Sequence, residues 1–288
     1  MSPALGLVIP DVQFVIHGFR VCSLFPSDTI PYEKTSPFVL FDYHPSFYYS
    51  PTTAQRGVAV HPHKGFETVT IAFEGKIAHH DSVGNSGIIE PGEVQWMTAS
   101  SGILHAEYHE KEFAEKGGNL KMVQLWVNLP AKNKSSKPDY QSITTNQIKN
   151  IALKNNAGIL KLIAGEYNGI KGPAKTFTPI HLSVTDLNEN ANAQFSFPQH
   201  YNTLLLVTKG SVVINNNEEV NENEFVVFDT EGTEIFISAK QKTEILFLSG
   251  EPINEPIVQY GPFVMNTQQE IREAIKEFNE GKFGILNA

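Results

Sequence analysis

Along most of the chain, apolar and polar residues alternate over short runs, the period-two pattern of strands with one face buried. Thr68-Val69-Thr70-Ile71-Ala72-Phe73, Met122-Val123-Gln124-Leu125-Trp126-Val127 and Leu204-Leu205-Leu206-Val207 are examples. Turn-forming residues separate such runs at Glu74-Gly75, Val83 to Gly87, Pro91-Gly92 and Lys209-Gly210. Many short strands at this spacing predict an all-β chain of sandwich or barrel type. A polar stretch, 131–150, divides it, giving an expected N-terminal domain at 1–130, a linker, and a C-terminal domain at 151–288. One helix is predicted near the end. Thr267 and Glu270 have the spacing of a capping box, Ile271, Ala274, Ile275 and Phe278 recur at helical spacing, and Gly281 is placed to stop it.

The halves also read as copies. Thr68 to Gly75 and Thr203 to Gly210 each span seven positions and end a strand in a turn, and Gly92-Glu93-Val94 resembles Asn223-Glu224-Phe225. Gly102 matches Gly232 in the same order. The pattern predicts two tandem β-barrels.

Composition narrows the functional classes. At 288 residues, with 41% hydrophobic and 18% charged, the chain is that of a folded globular protein. A formal net charge of -9 argues against direct nucleic-acid binding, which needs clustered Lys and Arg. The short run Lys132-Asn133-Lys134 is expected to be a solvated connector. A single cysteine, Cys22, excludes an intrachain disulfide and suits a reducing compartment. The first residues lack a basic, then apolar leader, and no run approaches the ~20 apolar residues of a membrane helix, so a cytoplasmic location without membrane contact is expected. Monomer is the expected state.

The chemistry lies in the first copy. His61-Pro62-His63 puts two imidazoles at i and i+2, which a strand turns to one face. His105-Ala106-Glu107 repeats the arrangement with a histidine and a carboxylate. On neighbouring strands the four would converge, and three neutral nitrogens with one carboxylate suit Fe(II), Mn(II), Ni(II), Cu(II) or Zn(II) rather than Ca or Mg. His79-His80 is expected to be solvated, His109 to sit at the pocket rim, and Trp96 and Met97 to belong to the core. His181 and His200 are read as structural, and His44 lies in a segment able to alter pocket shape.

The run from His61 to Gly75, the segments Asp81 to Gly87, Pro91 to Ala99 and Ser101 to Glu107, and the later Gln124 to Pro130 and Tyr260 to Thr267 resemble the pirin family of the cupin superfamily. The resemblance implies a bicupin with a C-terminal helix and one metal, held at the positions of His61, His63, His105 and Glu107. It further implies Fe(II) as the expected ion, with Mn, Ni, Co, Cu or Zn as alternatives. Quercetinase activity follows, an O2-dependent opening of the flavonol heterocycle that releases carbon monoxide, with Glu107 as a candidate base. Some pirins are instead regulatory proteins that respond to metal redox state through a protein partner, which is the alternative reading. In ordinary cupins a further ligand Glu stands seven positions before the turn glycine. Thr68 holds that place here and Glu67 is one residue off, on the opposite strand face, so Glu67 is not expected to ligate. Aligning the copies puts Ser196, Pro198, Ile235 and Ile237 at the four ligand positions of the second half, which predicts a metal-free domain.

Overall fold

The computed structural model describes the backbone at 4–8 and 13–16 and whole residues at 18–286. The expectation that residues 1–7 hold no leader falls on positions of which only the backbone of 4–7 is described. Strands dominate, and the chain forms two compact units. One comprises Val12–Phe25, Phe38–Thr144 and Ile253–Ala288; the other comprises Met1–Asp11, Pro26–Pro37 and Thr145–Pro252.

Each unit has a seven-stranded and a four-stranded sheet. In the unit with the histidine pairs, the large sheet runs Asp139–Ile143, Val94–Thr98, Phe66–Glu74, Gly118–Asn128, Phe38–Tyr49, Phe19–Phe25 and Gln13–Ile16. Its small sheet runs Gly57–His63, Ile103–His109, Ile77–Asp81 and Ser86–Ile89. In the other unit the small sheet runs Ala191–Ser196, Glu234–Ala239, Ser211–Ile214 and Glu218–Asn221, the same order one copy later. The duplication expected from the turn spacing is therefore visible strand by strand. Hydrogen bonding does not close into a ring among the described residues, so each unit is an open, jelly-roll-like sandwich with two sheets contributing to one interior.

The units cut the chain differently from the expected division. Asp139–Ile143, inside the expected linker, pairs antiparallel with Val94–Thr98 and extends the large sheet of the unit with the histidine pairs. The edge of that sheet offers unpaired backbone groups, and a polar strand can satisfy them as well as an apolar one. Lys134 is not solvated. Its Nζ is buried and donates to the Gly65 carbonyl at 2.7 Å, Asn128 Oδ1 at 2.6 Å and the Val264 carbonyl at 2.9 Å. Three oxygens match the three protons of an ammonium, which makes this burial tolerable.

The terminal helix α1 (Gln268–Asn279) starts with the predicted capping box of Thr267 and Glu270. It packs within the unit that carries the histidine pairs: Ile271 and Ala274 cluster with Phe263, Met265, Phe283 and Leu104, a residue of the Ile103–His109 strand. Lys64 ties it down further by an ion pair to Glu277 at 2.6 Å. No helix among the described residues is long and apolar enough to cross a membrane.

Candidate metal centre

Antiparallel pairing of Gly57–His63 with Ile103–His109 sets His105 opposite His61 and Ile103 opposite His63. Directly opposed residues on a strand pair point the same way, so the i, i+2 spacing becomes a cluster. Ring centroids are 4.2 Å apart for His61 and His105, 4.6 Å for His63 and His105, and 4.8 Å for His61 and His63. One nitrogen from each falls within 4.8 Å of the others. His61 Nδ1 lies 2.8 Å from the Ala59 carbonyl, which selects the tautomer with its lone pair on Nε2. His63 and His105 are buried, and burial first, then the neighbouring imidazoles, holds both well below the ordinary histidine range. They are neutral at physiological pH, as coordination requires. Both ring nitrogens of the fully buried His105 lack a hydrogen-bond partner. An orphaned buried imidazole beside two others is what a metal ligand looks like without its ion, so these residues fit a divalent metal.

Glu107 lies one strand step deeper, past an irregularity in the register between His105 and Glu107, and stands outside the histidine group. Its Oε1 accepts from Thr70 Oγ1 at 3.3 Å and from Gln124 Nε2 at 3.5 Å. Those are long bonds, and among the described residues no cation stands against the carboxylate. Burial pushes its carboxyl up to about 7, against the smaller pull of Gln124 and Thr70. Gln124 is better held elsewhere: it accepts from Thr70 Oγ1 at 2.7 Å and donates to Thr68 Oγ1 at 2.7 Å. Thr68, Thr70 and Gln124 thus share the interior face with Glu107, and Glu67 faces away, accepting from Thr98 Oγ1 at 2.7 Å.

Several residues differ from expectation. His79 is buried, not solvated. Its strand pairs it with Glu107, Gln95 Nε2 lies 3.1 Å from its Nδ1, and Tyr140 Oη bonds its Nε2. Only His80 of that pair is partly exposed, stacked on Tyr108. His109 is no rim residue: it is buried among Phe19, Tyr49 and Phe113, with ring centroids 5.0, 4.6 and 5.7 Å away. His44 is buried against Phe19 as well. Trp96 and Met97 are core residues as expected. The contributions of Thr70, Gln95, Gln124 and Tyr140 were missed, although Gln124 had a signal: it is the polar residue at an inward position between Met122 and Trp126.

In the second unit Ile235 pairs with Phe195, and the Phe197 amide bonds the Thr233 carbonyl. Register therefore places Phe195 and Phe197, not Ser196 and Pro198, at the positions of His61 and His63. The correction is one residue because Phe195 precedes Thr203 by one position more than His61 precedes Thr68. Ile235 and Ile237 stand as expected, and all four belong to one hydrophobic core with Leu205, Val226 and Phe247.

The family model described as Pirin matches residues 18–127, and that described as Pirin C-terminal cupin domain matches 183–284. A crystal structure of quercetin 2,3-dioxygenase from Acinetobacter baumannii is 45% identical, with a TM-score of 0.93 over 99% of each chain. A Pseudomonas aeruginosa protein, whose name assigns it provisionally to the quercetin 2,3-dioxygenases, is 42% identical over 94% of this chain and 94% of its own. Pirin-like protein 2 of Arabidopsis thaliana is 37% identical over 86% of this chain and 76% of its own. A bacterial pirin from Escherichia coli, solved in complex with nickel(II), shares the fold at 20% identity, with a TM-score of 0.66 over 86% of this chain and 99% of its own.

Proposed function

The chain belongs to the pirin family, and from that premise we propose that it is a metal-dependent dioxygenase opening flavonols of the quercetin type. The observation that carries the reading is the trio of neutral histidines with His105 unpartnered, set above a buried carboxylate that no cation among the described residues neutralises. His61, His63 and His105, with Glu107 as a fourth ligand, would hold one divalent transition metal, Fe(II) first, with Mn, Ni, Co, Cu or Zn able to replace it. When bound, the metal supplies Lewis acidity to the ionised 3-hydroxyl of the substrate and raises its readiness to react with O2.

The chain's own residues do the rest. Glu107 takes the proton of that hydroxyl; Gln124 and Thr70 aim its carboxylate by weak bonds that let it move. Phe66 and Trp126 stack at 4.2 Å with an interplanar angle of 28°, and both rings also touch His63. Trp126 is partly exposed, so this aromatic wall reaches from the histidines towards solvent and suits a flat flavonol. In the overall reaction both atoms of O2 enter the opened product and one ring carbon leaves as carbon monoxide.

The test is turnover. Purified protein is stripped, reloaded in turn with Fe, Mn, Ni, Co, Cu and Zn, and quercetin loss is followed alongside O2 uptake and carbon monoxide release. The three should match one to one to one with at least one metal. Absence of turnover with every metal would overturn the reading.

A further inference from the structure

The second unit has lost its metal site but not its opening. A cavity of about 440 Å³ remains there, bounded by Tyr167, Phe197, Tyr201, His181 and Ser196. Phe197 occupies the position of His63, so the cavity stands where the metal site stands in the other copy. That volume suits a small molecule.

Two features separate it from a leftover space. First, a polar row stands at this end of the unit's interior, beside the fully buried Ser183 and Thr185 of the His181 strand. His181, Ser249 and Thr203 are cross-strand neighbours over three strands, all buried. His181 Nε2 bonds Ser183 Oγ at 2.8 Å, and Thr203 Oγ1 bonds Ser249 Oγ at 2.8 Å. Buried polar groups of this kind cost stability relative to apolar side chains of similar size. Second, Tyr167 and Tyr201 line the cavity, and their hydroxyls have no protein partner among the described residues. Each can donate and accept.

Charge defines the ligand. Glu166 and Lys171, cross-strand neighbours on the short ribbon beside the cavity, bring one negative and one positive group to its lining. Burial holds His181 down to about 4, against a backbone hydrogen bond at Glu166, so it is uncharged at neutral pH. Tyr167, Phe197 and Tyr201 put three aromatic rings in a lining that also holds Ala174, Pro179 and Ile180, and the tyrosine hydroxyls are neutral polar groups.

We propose that this cavity is a second, metal-independent binding site for a small, flat, uncharged aromatic molecule bearing hydroxyl groups. It is separate from the metal centre and does not depend on the dioxygenase reading.

The experiment uses the isotope-labelled, metal-free full chain and NMR titration with catechol, with 4-hydroxybenzoate and tyramine as anionic and cationic counterparts. Catechol should shift the amides of 165–172 and 196–201 saturably, and equally in His61→Ala. Ala174→Trp, which fills the cavity from its wall, and Tyr201→Ala should each weaken this by about tenfold or more while leaving the remaining amides in place. Shifts confined to 61–63 and 103–107, no saturable shift, undiminished binding in both variants, or either charged probe binding as tightly as catechol would overturn the proposal.

Discussion

Glu67 and Glu107 are both buried carboxyls pushed to about 7, and they differ in what faces them. Glu107 shares its face with the histidines; Glu67 faces Thr98. Burial is the larger cause for Glu67, opposed mainly by the Thr98 hydrogen bond. Folded Glu67 keeps its proton to about pH 7, whereas an ordinary glutamate releases it near 4.5. The folded state therefore binds more protons between those values. This group's contribution to stability is full below 4.5, falls as pH rises to 7, and is flat above. Glu67→Gln cannot ionise and keeps the bond from Thr98. It should match wild type in unfolding free energy near pH 4.5 and exceed it at pH 8, by up to about 3 kcal/mol; equal urea midpoints at both pH values would refute this. At this scale the sequence was informative where spacing alone decides orientation, as for His61, His63, His105 and the offset of Glu67. It was silent where burial depends on distant neighbours. Nothing near Lys134 announces the Gly65 and Val264 carbonyls, and nothing near His79 announces Tyr140.

Among the elements, the strand that presents His61 and His63 is tied to the chain's last third at the next turn. Gly65 has φ +90°, and a Cβ there would stand 2.0 Å from the Val264 carbonyl oxygen. The Gly65 carbonyl also accepts from Lys134. Both backbone conformation and backbone approach require glycine. Gly65→Ala should cost at least ~2 kcal/mol in urea unfolding and weaken metal retention, since His63 is two residues away; a loss below ~0.5 kcal/mol would mean the contact is dispensable. The terminal helix was legible because its capping box and apolar spacing are local. Its packing partner was not, because Leu104 lies far away in sequence. The second copy's strands were legible too, but not their register: one additional residue before Thr203 moved the ligand-equivalent positions onto Phe195 and Phe197.

Over the whole molecule, one sheet plan is used twice with opposite interiors. In one unit the interior carries Thr70, Gln95, Gln124, His79 and the histidine trio; in the other Leu205, Val226, Phe247 and Ile237 dominate it, with Ser183, Thr185, Thr203 and Ser249 as its smaller polar share. The second unit is therefore held by apolar packing where the first has polar chemistry. Phe247→Ala should cost ~3–5 kcal/mol in calorimetric or urea unfolding of that unit, without lowering metal content. A concurrent loss of metal would show that the site depends on the second core. The duplicated plan was readable from turn spacing, and the polarity of the two interiors from their ligand positions. The placement of 139–143 and of the terminal helix with the histidine-bearing unit was not, because the pairing of Asp139–Ile143 with Val94–Thr98 and the packing of Ile271 and Ala274 near Leu104 join segments far apart in sequence.

The central claim is one metal per chain, held at His61, His63 and His105. Its most direct test is elemental analysis of the purified full chain reconstituted with Fe(II) without O2, beside His105→Ala prepared alike and shown folded by circular dichroism. The account predicts about one equivalent for wild type and under about a tenth for the variant. Full occupancy in His105→Ala, or two equivalents in wild type, would contradict it.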